Sequence, residues 1–503
     1  MKSSYSLRQR IGLVLGPVML VVVMAMPGIE GLSPEGRKVL GITALMAVYW
    51  VTEAIPIPAT ALFPIILFPL FNVMPASEAT APYANKLIYL FLGGFLVAVT
   101  MEKWNLHKRI ALKIISFVGT SPKKTVLGFM ASTAFLSMWI SNTATSMMMV
   151  PIGIAVISQA LDSAKTDEGK ASTGKFATAL MLGIAYSASI GGVATIIGTP
   201  PNTVMAGMIN QIYDKDINFL TWMAFGFPVA LIMLGICWYF LVNFAFPLKF
   251  KTIAGSGGII RDELKKLGKI KIEEKFVLAV FVFMAFLWIF AGISKNIGFL
   301  QFFHDWFPKY DDSIVAILGA VFLFLIPSDL KKGEFLLDWK TASKIPWGII
   351  ILFGGGLSLA SAYMSTDLAD YIAGVLSHFS GSGVFVMVLV ISALTIFLTE
   401  VTSNTATSTM FMPIMASHAA ALGFHPYILM AAAAVSASMA FMLPVATPPN
   451  AVVFGSGRVS VPEMAKAGLW MNLIAVAVIT AAVMWFLPLV WGISPSVLPV
   501  WAK

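Results

Sequence analysis

The stretch "SNTATSMMMVPI", Ser141 to Ile152, recurs as "SNTATSTMFMPI" from Ser403 to Ile414. Nine of the twelve positions are identical, and the copies lie more than half the chain apart. The repeat reaches outward on both sides. "FLGGFLVAV" (Phe91–Val99) is echoed by "LFGGGLSLA" (Leu352–Ala360), at an offset one residue shorter than that of the first pair. "GTPPN" (Gly198–Asn202) is echoed by "ATPPN" (Ala446–Asn450), with "SAS" ahead of each, at an offset 14 shorter. The polar loop "LDSAKTDEGKASTGK", present only in the first copy, accounts for the difference. Motifs in fixed order with one loop insertion indicate internal duplication.

The surrounding chain is 58% hydrophobic and 11% charged over 503 residues. Soluble domains carry roughly a quarter charged residues, so this surface cannot be covered by charge. Runs such as "IGLVLGPVMLVVVMAM" and "LIMLGICWYFLVNFAF" recur at bilayer-spanning length, and the alternating strands of an outer-membrane barrel are absent. An all-α polytopic membrane protein follows. The net charge of +9 comes from Lys and Arg at the ends of apolar runs, as the positive-inside rule expects, and not from a nucleic-acid surface. The single Cys237 excludes a disulfide framework and a Cys-based metal site. No small-x-small cleavage site follows the first apolar run, which favours a retained N-terminal helix over a signal peptide.

Apolar runs and their breakers place spans near 11–29, 38–54, 56–74 and 86–104, then a basic amphipathic segment, "NLHKRIALKIISF", along the membrane surface. Longer, interrupted segments follow at 125–158 and 176–212, and a span near 219–246. The hydrophilic stretch 249–275 holds eight Lys or Arg against four Asp or Glu and reads as a cytoplasmic linker. Spans near 276–296, 312–327 and 346–364 precede interrupted segments at 383–419 and 427–458 and a last span near 467–493. The chain thus divides into an N-terminal helix (1–35), a first repeat (36–248), the linker (249–275) and a second repeat (276–503). With N-terminus and linker both cytoplasmic, an even number of crossings must separate them, yet seven apolar segments lie between. One must enter and leave on the same side, and 125–158, with its polar middle, is the re-entrant candidate. Five crossings and one hairpin per repeat then bring the second copy in from the opposite side, the inverted repeat of secondary transporters. The C-terminus is expected on the extracytoplasmic side.

Each "SNT" offers two hydroxyls and a carboxamide, all neutral. At a hairpin turn the following helix exposes unpaired N–H groups and the positive end of its dipole, which suits a carboxylate. The preceding helix ends in free carbonyls, which suit a hard cation. Two facing tips could hold both ends of a dicarboxylate. In "TPPN", consecutive prolines forbid regular helix and free upstream carbonyls, while Thr and Asn are expected to add side-chain ligands. A lone "SNT" or "TPP" reads as a helix kink or a back-bonded hydroxyl; both in the same order in both halves read as a site.

Ionisable residues within the apolar runs are few. Glu400 lies three residues before the second "SNT", but its counterpart is Met138, so its role is not shared by the repeats. A structural partner and the tuning of one ion site are both open, with proton coupling behind them. Glu53, at a span boundary, reads as structural, and His107 and His418 lack partners at metal spacing. No HExxH, GxxxxGK[ST] or GxSxG motif appears, so neither an ATP-driven pump nor an enzyme is indicated.

The twin "SNT" and "TPP" motifs, with "WVTEAIPIPATAL", resemble the divalent anion/sodium symporter family of sodium-coupled dicarboxylate, citrate and sulfate carriers. The resemblance covers nearly the whole chain. It implies a homodimer in the inner membrane and an elevator-type transporter. Each protomer would have about 11 transmembrane helices and two re-entrant hairpins, 125–158 and 383–419. Carried over by position, it implies one sodium site at Ser137, Ser141, Asn142 and Gly198, and another at Thr399, Thr402, Asn404 and Ala446. It implies substrate binding by Asn142, Thr143 and Thr199 on one side and Ser403, Asn404, Thr405 and Thr447 on the other. The expected function is sodium-driven import of a C4-dicarboxylate such as succinate, malate or fumarate. The alternatives are a sodium-independent exchanger, citrate or sulfate as substrate, and, in a different class, an anion channel.

Overall fold

Ser, Thr, Asn and Pro write the helix starts in this chain. Ser6 forms a capping box with Gln9 ahead of the helix Leu7–Ala25, and Ser33 accepts from the Gly36 N–H ahead of Pro34–Thr52, with Pro34 in the first turn. Ser460 and Glu463 repeat the capping box at Val461–Ala481. The computed structural model describes residues 5–119, 121–163, 166–248, 256–294, 311–377 and 383–502. Apart from one two-stranded ribbon, Pro327–Asp329 with Glu334–Phe335, the regular structure of the described residues is helical.

Both expected hairpins fold as helix–turn–helix units. The first has arms Pro122–Ser137 and Asn142–Ser163, and the second has arms Val384–Thr399 and Asn404–Ala421. Each is followed by a broken helix: Asp167–Gly192 then Pro200–Tyr213, and Pro426–Ala437 then Pro448–Gly455. The double prolines sit at the start of each second piece, where their missing N–H groups cost nothing. One order of elements therefore occurs twice. A long helix (Lys86–Lys103; Trp347–Ser365) leads to a shorter one (Leu106–Val118; Leu368–Ser377), then hairpin, broken helix and a long helix that runs into a π turn (Leu241–Ala245; Ala482–Phe486), the second continuing as Leu487–Trp491.

By length and apolarity, six helices among the described residues can cross a membrane, or seven if the bent pair Ala76–Ala84 and Lys86–Lys103 counts as one. Shorter apolar helices lie in the interrupted segments (Val384–Thr399, Pro426–Ala437) and in the spans expected at 56–74 and 312–327. The span expected at 56–74 is not one helix: it breaks into Ile57–Thr60 and Phe63–Leu70. Pro58 and Pro64 each open a helix there and Pro69 lies inside the second, so no ladder of bonds runs through. The linker expected at 249–275 contains the helix Ser256–Lys266; residues 249–255 lie outside the described residues.

Two cores and a small cluster of Leu45, Tyr49 and Ala54 organise the packing. The larger runs from Leu87 to Leu487. A smaller one joins Val39, Ile42, Met46 and Trp50 to Leu352, Leu359 and Tyr363, and reaches Ala406 in the first turn of the second hairpin's outgoing arm. The N-terminal helices thus abut the second tip.

Candidate functional site

At the first tip the incoming arm ends at Ser137, and the chain turns through Met138–Ser141 before Asn142 restarts the helix. Ser141 Oγ accepts from the Ala144 N–H (3.2 Å) and Ser141 O from the Thr145 N–H (3.0 Å). Helix geometry leaves the N–H groups of Asn142 and Thr143 without intrahelical acceptors. The Thr195 hydroxyl donates to Met138 O (2.6 Å), tying the turn to the helix break. Fully buried Ser137 places Oγ 2.6 Å from Asn142 Oδ1 and 2.7 Å from Ala188 O. The same terminal atom of the Asn142 carboxamide lies 3.3 Å from both Gly198 O and Ala188 O. With nitrogen there the amide donates to these neighbours. With oxygen there, oxygens alone surround one point, the donor set a hard cation takes.

The second tip repeats this arrangement. Thr399 Oγ1 donates to Asn404 Oδ1 (2.7 Å) and to Ala437 O (3.3 Å), and Ser403 accepts from the Ala406 N–H (3.5 Å). Ala188 and Ala437 are the middle residues of the two "SAS" triplets. That recurring triplet was the one sequence signal for these carbonyls. Thr402 Oγ1 bonds back to Leu398 O (2.9 Å) and to Thr407 Oγ1 (2.7 Å), which leaves its carbonyl as its free ligand atom.

At the breaks, Thr447 Oγ1 accepts from the Asn450 N–H (3.2 Å), and the hydroxyls of Thr199 and Ser438 meet at 3.4 Å, joining the two halves. The amide nitrogens of the "TPPN" asparagines bind the chain itself, while Asn202 Oδ1 and Asn450 Oδ1 are buried without a hydrogen-bond partner. Asn202 Nδ2 donates to Gly192, Val193 and Thr195 carbonyls (3.0, 3.3 and 2.7 Å), and Asn450 Nδ2 to Ala440 and Leu443 (3.4 and 3.0 Å). They staple the unwound turns through carbonyls upstream of the two prolines.

Glu400 is resolved as a structural partner. Buried at 3% exposure, its carboxylate accepts from the N–H groups of Phe441 (2.7 Å), Met442 (2.9 Å) and Leu443 (3.0 Å) and from Asn472 Nδ2 (2.7 Å). A carboxylate in a nest of backbone donors holds the second break as Thr195 holds the first.

These parts enclose one cavity of about 340 Å³. Every site residue expected from the sequence lines it except Ser137 and Thr399, which lie buried behind the two asparagines. Four helices begin at its wall, at Asn142, Pro200, Asn404 and Pro448. Phe91, Phe95 and Trp139 form an apolar side. Glu53, expected to be merely structural, also lines the cavity and pairs with Arg8, which the sequence reading missed.

An all-helical membrane fold with a neutral site between paired hairpins and broken helices defines the class: a membrane transporter. Residues 8–492 match the model of the sodium:sulfate symporter transmembrane region, and the chain belongs to that family. It is 44% identical over 98% of its length to 94% of a sodium-dependent dicarboxylate transporter of Staphylococcus saprophyticus. It is 43% identical, over the same shares, to the corresponding transporter of Staphylococcus aureus strain RF122. Among solved structures it shares the fold of Neisseria gonorrhoeae MtrF, of a class of antimetabolite efflux pumps (TM-score 0.57, 12% identity, 94% of each chain). The Alcanivorax borkumensis YdaH transporter is similar to the same degree (TM-score 0.56, 14% identity, 94% of this chain and 98% of that one).

Proposed function

We propose that this chain is a secondary active transporter that imports C4-dicarboxylates such as succinate, malate and fumarate together with sodium. The observation that carries the reading is the duplicated oxygen set, Ser137–Asn142–Gly198 and Thr399–Asn404 behind one cavity, beside helix starts that suit an anion. One carboxylate would be met by Asn142, Thr143 and Thr199, the other by Ser403, Asn404, Thr405 and Thr447. Sodium would be held by Ser137, Ser141, Asn142 and the Gly198 carbonyl, and by Thr399, Asn404 and the Thr402 and Ala446 carbonyls.

Charge decides why the ions travel together. A dicarboxylate brings two negative charges to tips without Lys or Arg, and an uncompensated anion at membrane depth is costly. Bound sodium offsets that charge and makes the loaded carrier movable. The duplicated element order is read as two inverted repeats with re-entrant hairpins, in a homodimeric, elevator-type carrier with a cytoplasmic N-terminus and an extracytoplasmic C-terminus in the inner membrane.

The test is uptake of radiolabelled succinate into proteoliposomes with and without an inward sodium gradient. Gradient-driven uptake that disappears in Asn142→Ala and in Asn404→Ala is expected. Full uptake in choline, or uptake driven only by internal dicarboxylate, would contradict symport.

A further inference from the structure

Arg8 and Glu53 are the only ionisable side chains among the described residues lining the cavity. Arg8 stands in the first turn of Leu7–Ala25. Its Nη1 donates to the Val401 carbonyl (3.1 Å), two residues ahead of Ser403 at the second tip. Its Nη2 lies 3.5 Å from Glu53 Oε1, and the two side chains are 49% and 44% exposed. The chain around them is held in place. Glu53 caps Pro34–Thr52 in the left-handed conformation (φ 51°), its carbonyl accepts from Gln9 Nε2 (3.2 Å), and the Tyr5 hydroxyl donates to the Ala54 carbonyl.

A half-exposed ion pair at this separation gains little from its own attraction, so Arg8 can change partners at small cost. Its planar fork matches a carboxylate. Every other described lining residue is neutral. An anion reaching the cavity therefore meets one cation whose charge Glu53 balances. Remove the cation alone, and an unbalanced carboxylate faces the incoming anion.

We propose that Arg8 recruits a substrate carboxylate at the edge of the cavity, exchanging Glu53 for it, and so selects for anionic substrates from outside the two tips. The proposal rests on the dicarboxylate reading. Its test is binding of radiolabelled succinate to the detergent-solubilised protein in saturating sodium, at low and high ionic strength, with maximal uptake measured in proteoliposomes. Arg8→Gln is expected to raise the dissociation constant about three- to tenfold at low ionic strength, with the difference shrinking as salt screens it. At saturating succinate the loss of uptake in Arg8→Gln should be smaller than its loss of affinity. Arg8→Lys should recover most of the affinity, Glu53→Gln should tighten binding, and Arg8→Gln with Glu53→Gln should return close to wild type. If Arg8→Gln and Glu53→Gln shift binding in the same direction, or neither shifts it, the pair is only a strap between the N-terminus and the second tip, and the proposal falls. Wild-type protein that binds no succinate in sodium would instead overturn the dicarboxylate reading, and this proposal with it.

Discussion

Ser137 and Thr399 sit behind the cavity wall and reach it through a neighbour. Both are fully buried, and each orients the first amide of the following arm. The family resemblance singled out both positions, as cation ligands; the bond from each to the amide five residues on was not part of that expectation. The two copies differ in tightness. A Cβ on Gly198 would fall 2.4 Å from the Gly192 carbonyl oxygen, a backbone atom with no rotamer to yield. The second copy carries Ala446 at the equivalent place, so its turn already accommodates a methyl. Gly198→Ala is thus expected to distort the first oxygen set at a cost of about 1–3 kcal/mol and to raise the half-saturating sodium concentration of uptake. Ala446→Gly should leave it nearly unchanged. Sodium titration of succinate uptake measures both, and equal sodium dependence in the two variants would show that the first set is not a cation site.

Elements were legible where their start signals are local. The hairpin arms and broken helices follow from the repeated motifs and their prolines, whereas the caps at Ser33 and Ser460 start their helices ahead of the expected 38 and 467. Contacts remote in sequence were not legible. Glu400 reaches N–H groups 41 to 43 residues away, and Arg8 reaches a carbonyl 393 residues away, so neither partner leaves a pattern around the residue itself. The 56–74 segment misled for the opposite reason: its apolar composition spoke louder than Pro58, Pro64 and Pro69, which divide it. For Glu400 the consequence is a prediction about the second broken helix. Glu400→Ala leaves the Met442 and Leu443 N–H groups and Asn472 Nδ2 without their acceptor, while the Phe441 N–H keeps Asn472 Oδ1 (3.1 Å); each unsatisfied group costs about 1–3 kcal/mol. Thermal unfolding in detergent should show a loss of at least about 3 kcal/mol, while Glu400→Gln, which keeps one acceptor oxygen, should lose less. An unaltered melting temperature in Glu400→Ala would mean that the nest does not hold the break.

Across the whole molecule, the packing separates an N-terminal pair of helices from the body that carries most of the site. The pair has its own small core with Leu352, Leu359 and Tyr363, and it touches the second hairpin at Ala406 and through Arg8 on Val401. The first tip is embedded in the larger core, with Ile140 and Met149 both counted in it. On the elevator reading proposed above, one packed body slides past another, since close-packed interiors do not deform continuously. We place the sliding surface at the contact between the N-terminal pair and the second tip. Joining the two sides should therefore arrest transport. In a Cys237→Ser background, Arg8→Cys and Val401→Cys bridged by a bis-maleimide with a cleavable spacer should abolish maximal succinate exchange, and cleaving the spacer should restore it. Each single-cysteine variant treated alike should keep its maximal rate. Bridged protein that exchanges at full speed would mean that the second tip and the N-terminal pair travel together, and would move the sliding surface to the larger core on the other side of the hairpin.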